Sequence, residues 1–552
     1  MTITRSSILR ALVVAIAAGA GIIGVLLPPA ARRLRHPRST ATSVVVAGAI
    51  HVHSRRSGGG GTPDEIAAAA RAAGLQFVVL TDHGDATRRP DPPVYRHGVL
   101  CLDAVEISAH GGHYVAIGLP QAPYPLGGDA RDVVDDVARL GGLGFVAHGD
   151  SPRRELAWAD WDLPVGGLEW MNLDSEWRSR PAAEAALALA TYLFRPPETL
   201  ARLLGRPRPM LARWDRLTRT RRVPAIAATD AHALWDTPSY EACFRTITTR
   251  LELPIPLTGV ASTDADAIVA ALRAGHHYTE IDALAGPAGF DFTGRVAGSI
   301  VHEGDETSGA VALQARVDGP PGARLTLLRN GEVVSSTTAA HLAFQADGSS
   351  GAYRVEVTWP DLAGDDGPPW IVSNPIYVGG WAATGHRASA PASIGRDLLT
   401  DRSGVRWLHE QDRTSRAVVD RDPVSGALRF SCALGDGAPA NQFAALVVPI
   451  DGTLAPFERL RLGARADRPL RLSIELRRRG DGNPPRWQRS VYLDAAVRTV
   501  DIPLQSLAPV PPETAATAPL EDIGALLLEL DTVHTRPGTR SSIVVSELRL
   551  ER

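Results

Sequence analysis

The sequence predicts a mixed α/β domain built on a parallel sheet or barrel and followed by two all-β sandwich domains. Three observations lead there. From Val44 to Val301 short apolar runs alternate with Ala/Leu-rich helical stretches, the βαβ pattern. After about Gly294 the helical stretches stop and short alternating strands separated by turn signals take over. At 552 residues the chain is too long for one hydrophobic core.

Taken in order, residues 1–40 are set apart from the catalytic fold. The stretch between Arg10 and Arg32 carries no charge and is apolar from Ala11 to Leu27, which fits a signal-peptide core or a short membrane helix. No small-x-small cleavage site precedes the following arginines, so an uncleaved anchor is expected. Arg32, Arg33, Arg35 and Arg38 by themselves would hold the bulk of the protein in the cytoplasm. The trailing all-β modules are of the kind found in exported proteins, and an exported or membrane-anchored protein with an extracytoplasmic catalytic domain is expected.

Residues 41–293 form the α/β domain. Thr62-Pro63-Asp64-Glu65 supplies an N-cap, a proline at the first helical position and early acidic charge, and Gly74 ends that helix. Phe77–Leu80 follows as a buried strand. Further strands are expected at Val99 to Ile107, His113 to Gly118, Leu143 to Ala147, Gly167 to Trp170 and Pro224 to Ala228, with a helical insertion from Pro181 to Arg222. A small β-sandwich is expected over 294–380, with strands such as Arg324 to Leu328 and Tyr353 to Trp359 and a turn at Asn330-Gly331. A jelly-roll, galactose-binding-like sandwich is expected over 381–552, where Leu470 to Leu476 alternates and Ile523 to Leu530 reads as a buried strand. In that last domain Trp407, Trp487 and Tyr492 are either core or stacking residues for carbohydrate.

Composition removes several function classes. The 58 basic residues are all arginine, and against 61 acidic residues they leave a formal charge of −3, which speaks against a general nucleic-acid binder. The absence of lysine excludes Schiff-base catalysis and a P-loop phosphate site. Cys101, Cys243 and Cys432 lie far apart and read as buried hydrophobes.

Chemistry is concentrated where the apolar runs of the first domain end. The segments are Ile50-His51-Val52-His53, Thr81-Asp82-His83, Val105-Glu106-Ile107, Gly112-His113-Tyr114, Val146-Ala147-His148 and Thr229-Asp230-Ala231-His232. Barrel enzymes build their sites at the carboxyl ends of strands. Residues two apart on a strand project the same way, so His51 with His53, and Asp230 with His232, each offer a pair of ligands. Imidazole and carboxylate together suit Zn, Mn or Fe. A lone strand-end histidine usually makes a hydrogen bond in the core; six such segments in one domain point to a shared metal site. Gly275-His276-His277-Tyr278 is excluded, because adjacent histidines on a strand face opposite ways. His97 and His110 are read as rim residues.

In order and spacing these motifs resemble the PHP (polymerase and histidinol phosphatase) family of metallohydrolases, over Gly48 to Leu284. Gly275 to Leu284 and Trp370 to Tyr377 are similar to the branch that includes ester and carbamate hydrolases. The resemblance implies a distorted (β/α)7 barrel with two or three divalent metal ions. It implies that His51, His53 and Asp230 hold the first ion, that Glu106 bridges to a second held by His113 and His148, and that His83 and His232 hold a third. Where relatives carry Ser-Asp-Gly after the first motif, this chain has Ser57-Gly58-Gly59, so the third site lacks its usual aspartate; Asp85 or Asp150 is a candidate to complete it.

Paired metals would activate water without a serine or lysine nucleophile. His83, His232 and Asp150 are the catalytic candidates that could serve the leaving group. Arg55 and Arg88, with Arg56, Arg89 and Arg153 nearby, are candidates to bind phosphate oxygens, or are simply solvated loop charges. A phosphoesterase acting on a small-molecule ester is the leading expectation. The alternatives are an ester or carbamate hydrolase on the same metals, and a surface-tethered glycan-binding protein with a degenerate barrel. Expected partners are the small ester, carbohydrate at the last domain and a membrane at the N-terminal segment, with no nucleic acid.

Overall fold

The helix that begins at Pro63 shows how local signals set the α/β part of the chain. Thr62 accepts from the Glu65 amide at 3.3 Å while the Glu65 side chain takes the Thr62 amide at 2.8 Å, closing a capping box. Gly74 ends the helix in the left-handed region, φ 83°. A computed structural model describes residues 21, 24–34, 44–234, 237–286, 289–360, 364, 367–379, 395–399, 407–437, 442–482, 484–510 and 517–552. Most of the apolar stretch Ala11–Leu27, and with it the signal or anchor expectation, lies outside them. No helix among the described residues is long and apolar enough to cross a membrane.

In chain order the first elements are β1 (Val44–Val52), α1 (Pro63–Ala73), β2 (Phe77–Leu80), β3 (Val99–Asp103), β4 (Val105–Ala109), β5 (Gly112–Ile117), α2 (Ala130–Arg139), β6 (Leu143–Ala147) and β7 (Gly167–Asn172). Four helices follow, α3 (Leu173–Arg178), α4 (Ala182–Tyr192), α5 (Pro196–Arg202) and α6 (Arg208–Thr218), the last three making the expected insertion. Then come β8 (Ala225–Ala228), α7 (Tyr240–Phe244), β9 (Thr248–Leu253), α8 (Ala261–Ala274) and β10 (His277–Glu280).

One sheet runs β8-β7-β6-β5-β4, and a second contains β10-β9-β1-β2-β3. Two isolated parallel bridges, Val52 to Ala231 and His83 to Glu106, tie the two sheets together just past the ends of β1, β8 and β2. Val46, Ile50, Phe77, Val79, Leu100, Phe145, Ile226 and Leu251 share one buried core. Runs this continuous in apolar residues belong to strands covered on both faces.

The expected strand from Val99 to Ile107 is two strands, and β4, β5 and β6 are antiparallel rather than joined by βαβ crossovers. Gly111 and Gly112, at φ 91° and 130°, close a tight hairpin that turns the chain straight back. His113 therefore stands near the start of its strand and reaches the site from the opposite direction.

Beyond β10, Phe290–Val296, Ser299–His302, Val311–Val317 and His341–Ala346 make a four-stranded antiparallel sheet. Ile371–Ser373 pairs with β10, with Tyr278 opposite Ser373, so the strands at 351–358 and 371–378 continue the α/β sheet. Such pairing covers an edge that would otherwise expose its amides.

The described residues fall into two compact units, one within Met1–Gly84, Pro90–Pro120 and Val137–Ala382, the other within Asp85–Arg89, Gln121–Asp136 and Ala383–Arg552. The second contains two six-stranded sheets around a core that includes Leu446, Leu472, Trp487, Leu528, Leu462 and Val545. Trp487 is core and Trp407 packs against it. The segment 121–136 belongs to this unit, which nothing in the sequence pattern announced. Arg471 donates to Asp136 at 2.7 Å and Asp132 at 2.8 Å, and Ser490 donates to Asp132 at 2.6 Å, all buried.

Candidate metal centre

Glu106 is the hub of the site. It sits on β4, 1% exposed, and five imidazoles face its carboxylate. His113 Nδ1 and His148 Nε2 each lie 2.9 Å from Oε1. His51 Nε2, His53 Nε2 and His83 Nδ1 lie 3.3, 3.2 and 3.2 Å from Oε2. Asp230 closes the far side, with Oδ1 3.4 Å from His51 Nε2, 3.3 Å from His53 Nε2 and 3.5 Å from His232 Nδ1.

The backbone is bent to achieve this convergence. His51, His148 and Asp230 all take positive φ, at 67°, 30° and 44°, a region costly for residues with a Cβ. At His51 the register of β1 against β2 also shifts between Ile50 and Val52. The glycine run after His53 packs too closely for side chains. A Cβ on Gly59 would stand 2.0 Å from the His53 carbonyl, and the Gly60 amide donates to the His232 carbonyl at 2.6 Å.

Hydrogen bonds set which ring nitrogen is free. His51 Nδ1 donates to Glu169 Oε1 at 2.5 Å, His53 Nδ1 to Ser57 Oγ at 3.2 Å, His148 Nδ1 to the Leu156 carbonyl at 3.2 Å and His232 Nδ1 to the Asp230 carbonyl at 3.0 Å. Ser57 in turn donates to Asp82, which also accepts the Ser54 amide and hydroxyl. In its neutral form each of these four rings thereby keeps Nε2 as its lone-pair atom, the arrangement that metal-ligating histidines use.

Charge is strongly coupled here. Burial opposes a charged His51, but Asp230, Glu169 and Glu106 outweigh it and hold its pKa well above the ordinary value. Burial likewise opposes the charge of His53, yet hydrogen bonds to Asp230 and Glu106 lift its pKa to about 9. Burial would raise Glu106 and Asp230, and the charge of His51 instead drives both down. His83 and His232 are lowered, chiefly by desolvation. The interior thus calls for positive charge beside two ionised carboxylates.

These donors fit divalent ions. His51 Nε2 and His53 Nε2 are buried without a hydrogen-bond partner. Ligand atoms about 2.1 Å from a common tetrahedral ion lie about 3.4 Å apart. The contacts of His51 Nε2 and His53 Nε2 with Glu106 Oε2 and Asp230 Oδ1, at 3.2–3.4 Å, match that spacing. Three compact donor groups overlap: His51, His53 and Glu106; His83, Glu106 and His113; His53, His83 and His232.

The sequence-predicted ligands His51, His53, His83, Glu106, His113, His148, Asp230 and His232 are therefore brought together. Asp150 is exposed, two residues past His148, and lies outside those groups. Arg55 donates to the Gly60 carbonyl and pairs with Glu65, while Arg56 pairs with Asp91 and Asp103. Arg88 donates to the Arg89 carbonyl, and Asp85 accepts from Thr87. His276 pairs with Asp305, whereas His277 is buried against the Ala225 carbonyl, facing the other way. Sequence reasoning missed Glu169 and Tyr240, whose hydroxyl donates to the His53 carbonyl at 2.7 Å, and it gave no role to Asp82 of the Thr81-Asp82-His83 segment. The available signal for Glu169 was a carboxylate in an otherwise apolar strand, Gly167-Leu168-Glu169-Trp170-Met171.

No family model matches the sequence, and no curated protein does. Among solved structures the chain is similar to a two-domain protein of Bacteroides vulgatus containing a predicted PHP-like metal-dependent phosphoesterase. The identity is 15%, the match covers 62% of this chain and 99% of that one, and the TM-score is 0.31. It is also similar to the family 11 carbohydrate-binding module of the cellulase Lic26A-Cel5E of Clostridium thermocellum. There the identity is 16%, the coverage 29% and 95%, and the TM-score 0.25.

Proposed function

We propose that the first unit is a distorted seven-stranded barrel, β1-β2-β4-β5-β6-β7-β8, that hydrolyses a small phosphate ester with two or three bound divalent ions. The observation that carries this reading is the Glu106 carboxylate faced by five imidazoles. His51, His53, Asp230 and Glu106 would hold one ion, Glu106, His113 and His148 a second, and His83 and His232 beside His53 a third. Such ions, when bound, bring the pKa of coordinated water near neutrality and neutralise phosphate oxygens.

The chain's own residues do the rest. Glu169 fixes the His51 ring, and Ser57 with Asp82 fixes His53. His83 and His232 are the more open imidazoles and face the substrate. Asp150, exposed beyond β6, is the residue we assign to protonate the leaving oxygen. The group formed by His53, His83 and His232 supplies three neutral donors and no carboxylate of its own, so an ion held there would be less neutralised than its neighbours and would favour an anionic ester. Arg55 is engaged by Glu65 and Arg56 by Asp91 and Asp103, so His53, His83 and His232 are the residues we assign to hold the positive charge that would meet phosphate.

Purified protein loaded with Zn, Mn or Fe should turn over p-nitrophenyl phosphate or its bis ester. Activity on naphthyl esters alone transfers the reading to an ester or carbamate hydrolase. Less than one equivalent of bound metal with retained glycan binding transfers it to a tethered glycan binder. For the second unit the ligand class we assign is carbohydrate. The sheet face bearing Arg471 and Ser490 is already filled by Asp132 and Asp136, so a sugar needs another surface. We assign the chain to an extracytoplasmic, membrane-anchored location; protease accessibility on intact cells tests that.

A further inference from the structure

Helix α4 and the two residues after it read Ala-Ala-Glu-Ala-Ala-Leu-Ala-Leu-Ala-Thr-Tyr-Leu-Phe, with Glu184 as the single charge. A helix this apolar all round normally lies in a protein core or in lipid. Here it faces outward. Leu189, Leu193 and Phe194 are 65%, 83% and 58% exposed, and Thr191 is the only α4 residue fully buried.

The described residues that end the apolar stretch Ala11–Leu27 and follow it are held at the same place. Arg195, next to Phe194, donates to the Pro28 carbonyl, Arg202 donates to the Leu26 carbonyl at 2.9 Å, and the Ala31 amide donates to Glu198 at 3.1 Å. Val25, at the end of that stretch, is 86% exposed. The α4–α5 hairpin therefore clamps the chain between Leu26 and Ala31, and the same hairpin exposes Leu189, Leu193 and Phe194. Neighbouring exposed apolar side chains, unlike single scattered ones, point to a contact with lipid or a partner, and a stretch the length of Ala11–Leu27 is suited to lipid.

We propose that the outer face of α4 and the Leu193–Phe194 turn form a lipid-contacting surface that seats the first unit on the bilayer entered by Ala11–Leu27. The proposal rests on reading that stretch as a membrane segment, and the test separates the two. The side chains would enter the acyl boundary as the apolar face of an interfacial helix does. The Ser239 amide donates to the Tyr192 hydroxyl at 2.8 Å, so the C-terminal end of α4 is joined to the loop that precedes α7 and Tyr240.

The native cysteines are all buried, so one added cysteine gives the full-length chain a single exposed thiol. L193C, L189C, V14C and V333C would each be labelled with bimane and reconstituted in phosphatidylcholine and phosphatidylglycerol vesicles containing a nitroxide-labelled lipid. Val333 is 63% exposed on a strand of the same unit and serves as the control. The expected result is quenching and a blue shift at 189 and 193 several-fold above those at 333, approaching the level at 14. Quenching at 14 with 193 no different from 333 overturns the proposal and leaves the membrane segment standing. No quenching at 14 or 193 overturns both. A blue shift at 193 without lipid quenching, with light scattering showing a dimer, assigns the face to a second copy of the chain and overturns the proposal.

Discussion

Replacing Glu169 by glutamine changes one oxygen to an amide and should loosen the candidate metal centre without unfolding the first unit. Oε1 accepts from His51 Nδ1 at 2.5 Å, while Oε2 accepts the His148 amide at 2.7 Å and Asn172 Nδ2 at 2.9 Å. All three donors are buried, and glutamine has only one acceptor end. If its oxygen serves His148 and Asn172, its NH2 meets His51 Nδ1, and the ring must move its proton to Nε2, the atom that would bind metal. If its oxygen serves His51, two N–H groups confront the new NH2. Leaving a buried donor unmatched costs about 1–3 kcal/mol, and roughly 1.4 kcal/mol is tenfold in affinity. Metal affinity measured by competition with a chelating dye should therefore fall about 10- to 100-fold, the range typical of groups that orient a metal-bound histidine. Circular dichroism should be unchanged, and activity should recover at saturating metal. An E169Q protein that binds metal within twofold of wild type, while H51A has lost it, refutes the role given to Glu169.

Four further outcomes follow from the same contacts. Chelation should abolish hydrolysis and lower Tm, and returning metal should restore both, since an ion that binds only the folded state stabilises it; a Tm indifferent to chelation counts against the site. R471M strands Asp132 and Asp136 in a buried environment and should destabilise the second unit by about 3–5 kcal/mol, and more than D132N does, as read by urea denaturation. G59A should cost metal binding and solubility together, because its methyl group would stand 2.0 Å from the His53 carbonyl; a soluble G59A with wild-type metal content is the contrary result. Burial, with Glu475 and Asp531 nearby, raises the Glu529 carboxyl to about 8. The folded state therefore holds this proton where the unfolded chain releases it, and stability falls as pH rises from the unfolded value near 4.5 toward 8. E529Q should match wild type in Tm at pH 4 and exceed it at pH 9, by about 2–4 °C for each kcal/mol of relief.

The ligand set was legible because its grammar is local. An apolar run followed by histidine or carboxylate marks a buried strand arriving at a polar site, and the segments at His51, His83, His148 and Asp230 obey it. The first helix was legible for the same reason, through Thr62, Pro63 and Gly74. What could not be read is what depends on partners distant in sequence. Whether β5 runs with or against β4 is decided by the conformation of Gly111 and Gly112, and two adjacent glycines are compatible with either a turn or a loop. Glu169 looked like one residue of an apolar strand until its neighbours, His51 and His148, were placed around it. Asp132 and Asp136 meet their cation, Arg471, across more than 300 residues, a pairing that no local pattern carries. The arginines after the first motif were readable either as phosphate ligands or as loop charges, and their pairing with Glu65, Asp91 and Asp103 depends on segments the motif does not contain.

The strained residues explain why the ordered motif is more informative than any one histidine. A β-strand delivers alternate side chains to one face, and pure alternation would aim His51 and His53 along parallel lines spaced by two residues. Both Nε2 atoms instead come within 3.4 Å of the same two carboxylate oxygens, which requires the chain to break its alternation between them. The positive φ of His51 and the register shift beside it do so, and His148 and Asp230 carry the same distortion on neighbouring strands. Relaxing any of the three to extended backbone would relieve strain of order 1–2 kcal/mol and swing a ligand out of the cluster. Glycine adopts positive φ at least cost, and aspartate and histidine tolerate it better than most residues that carry a Cβ. Histidine and aspartate at these three positions therefore take the turn at a modest cost and bring a ligand atom to the cluster, which glycine would not do.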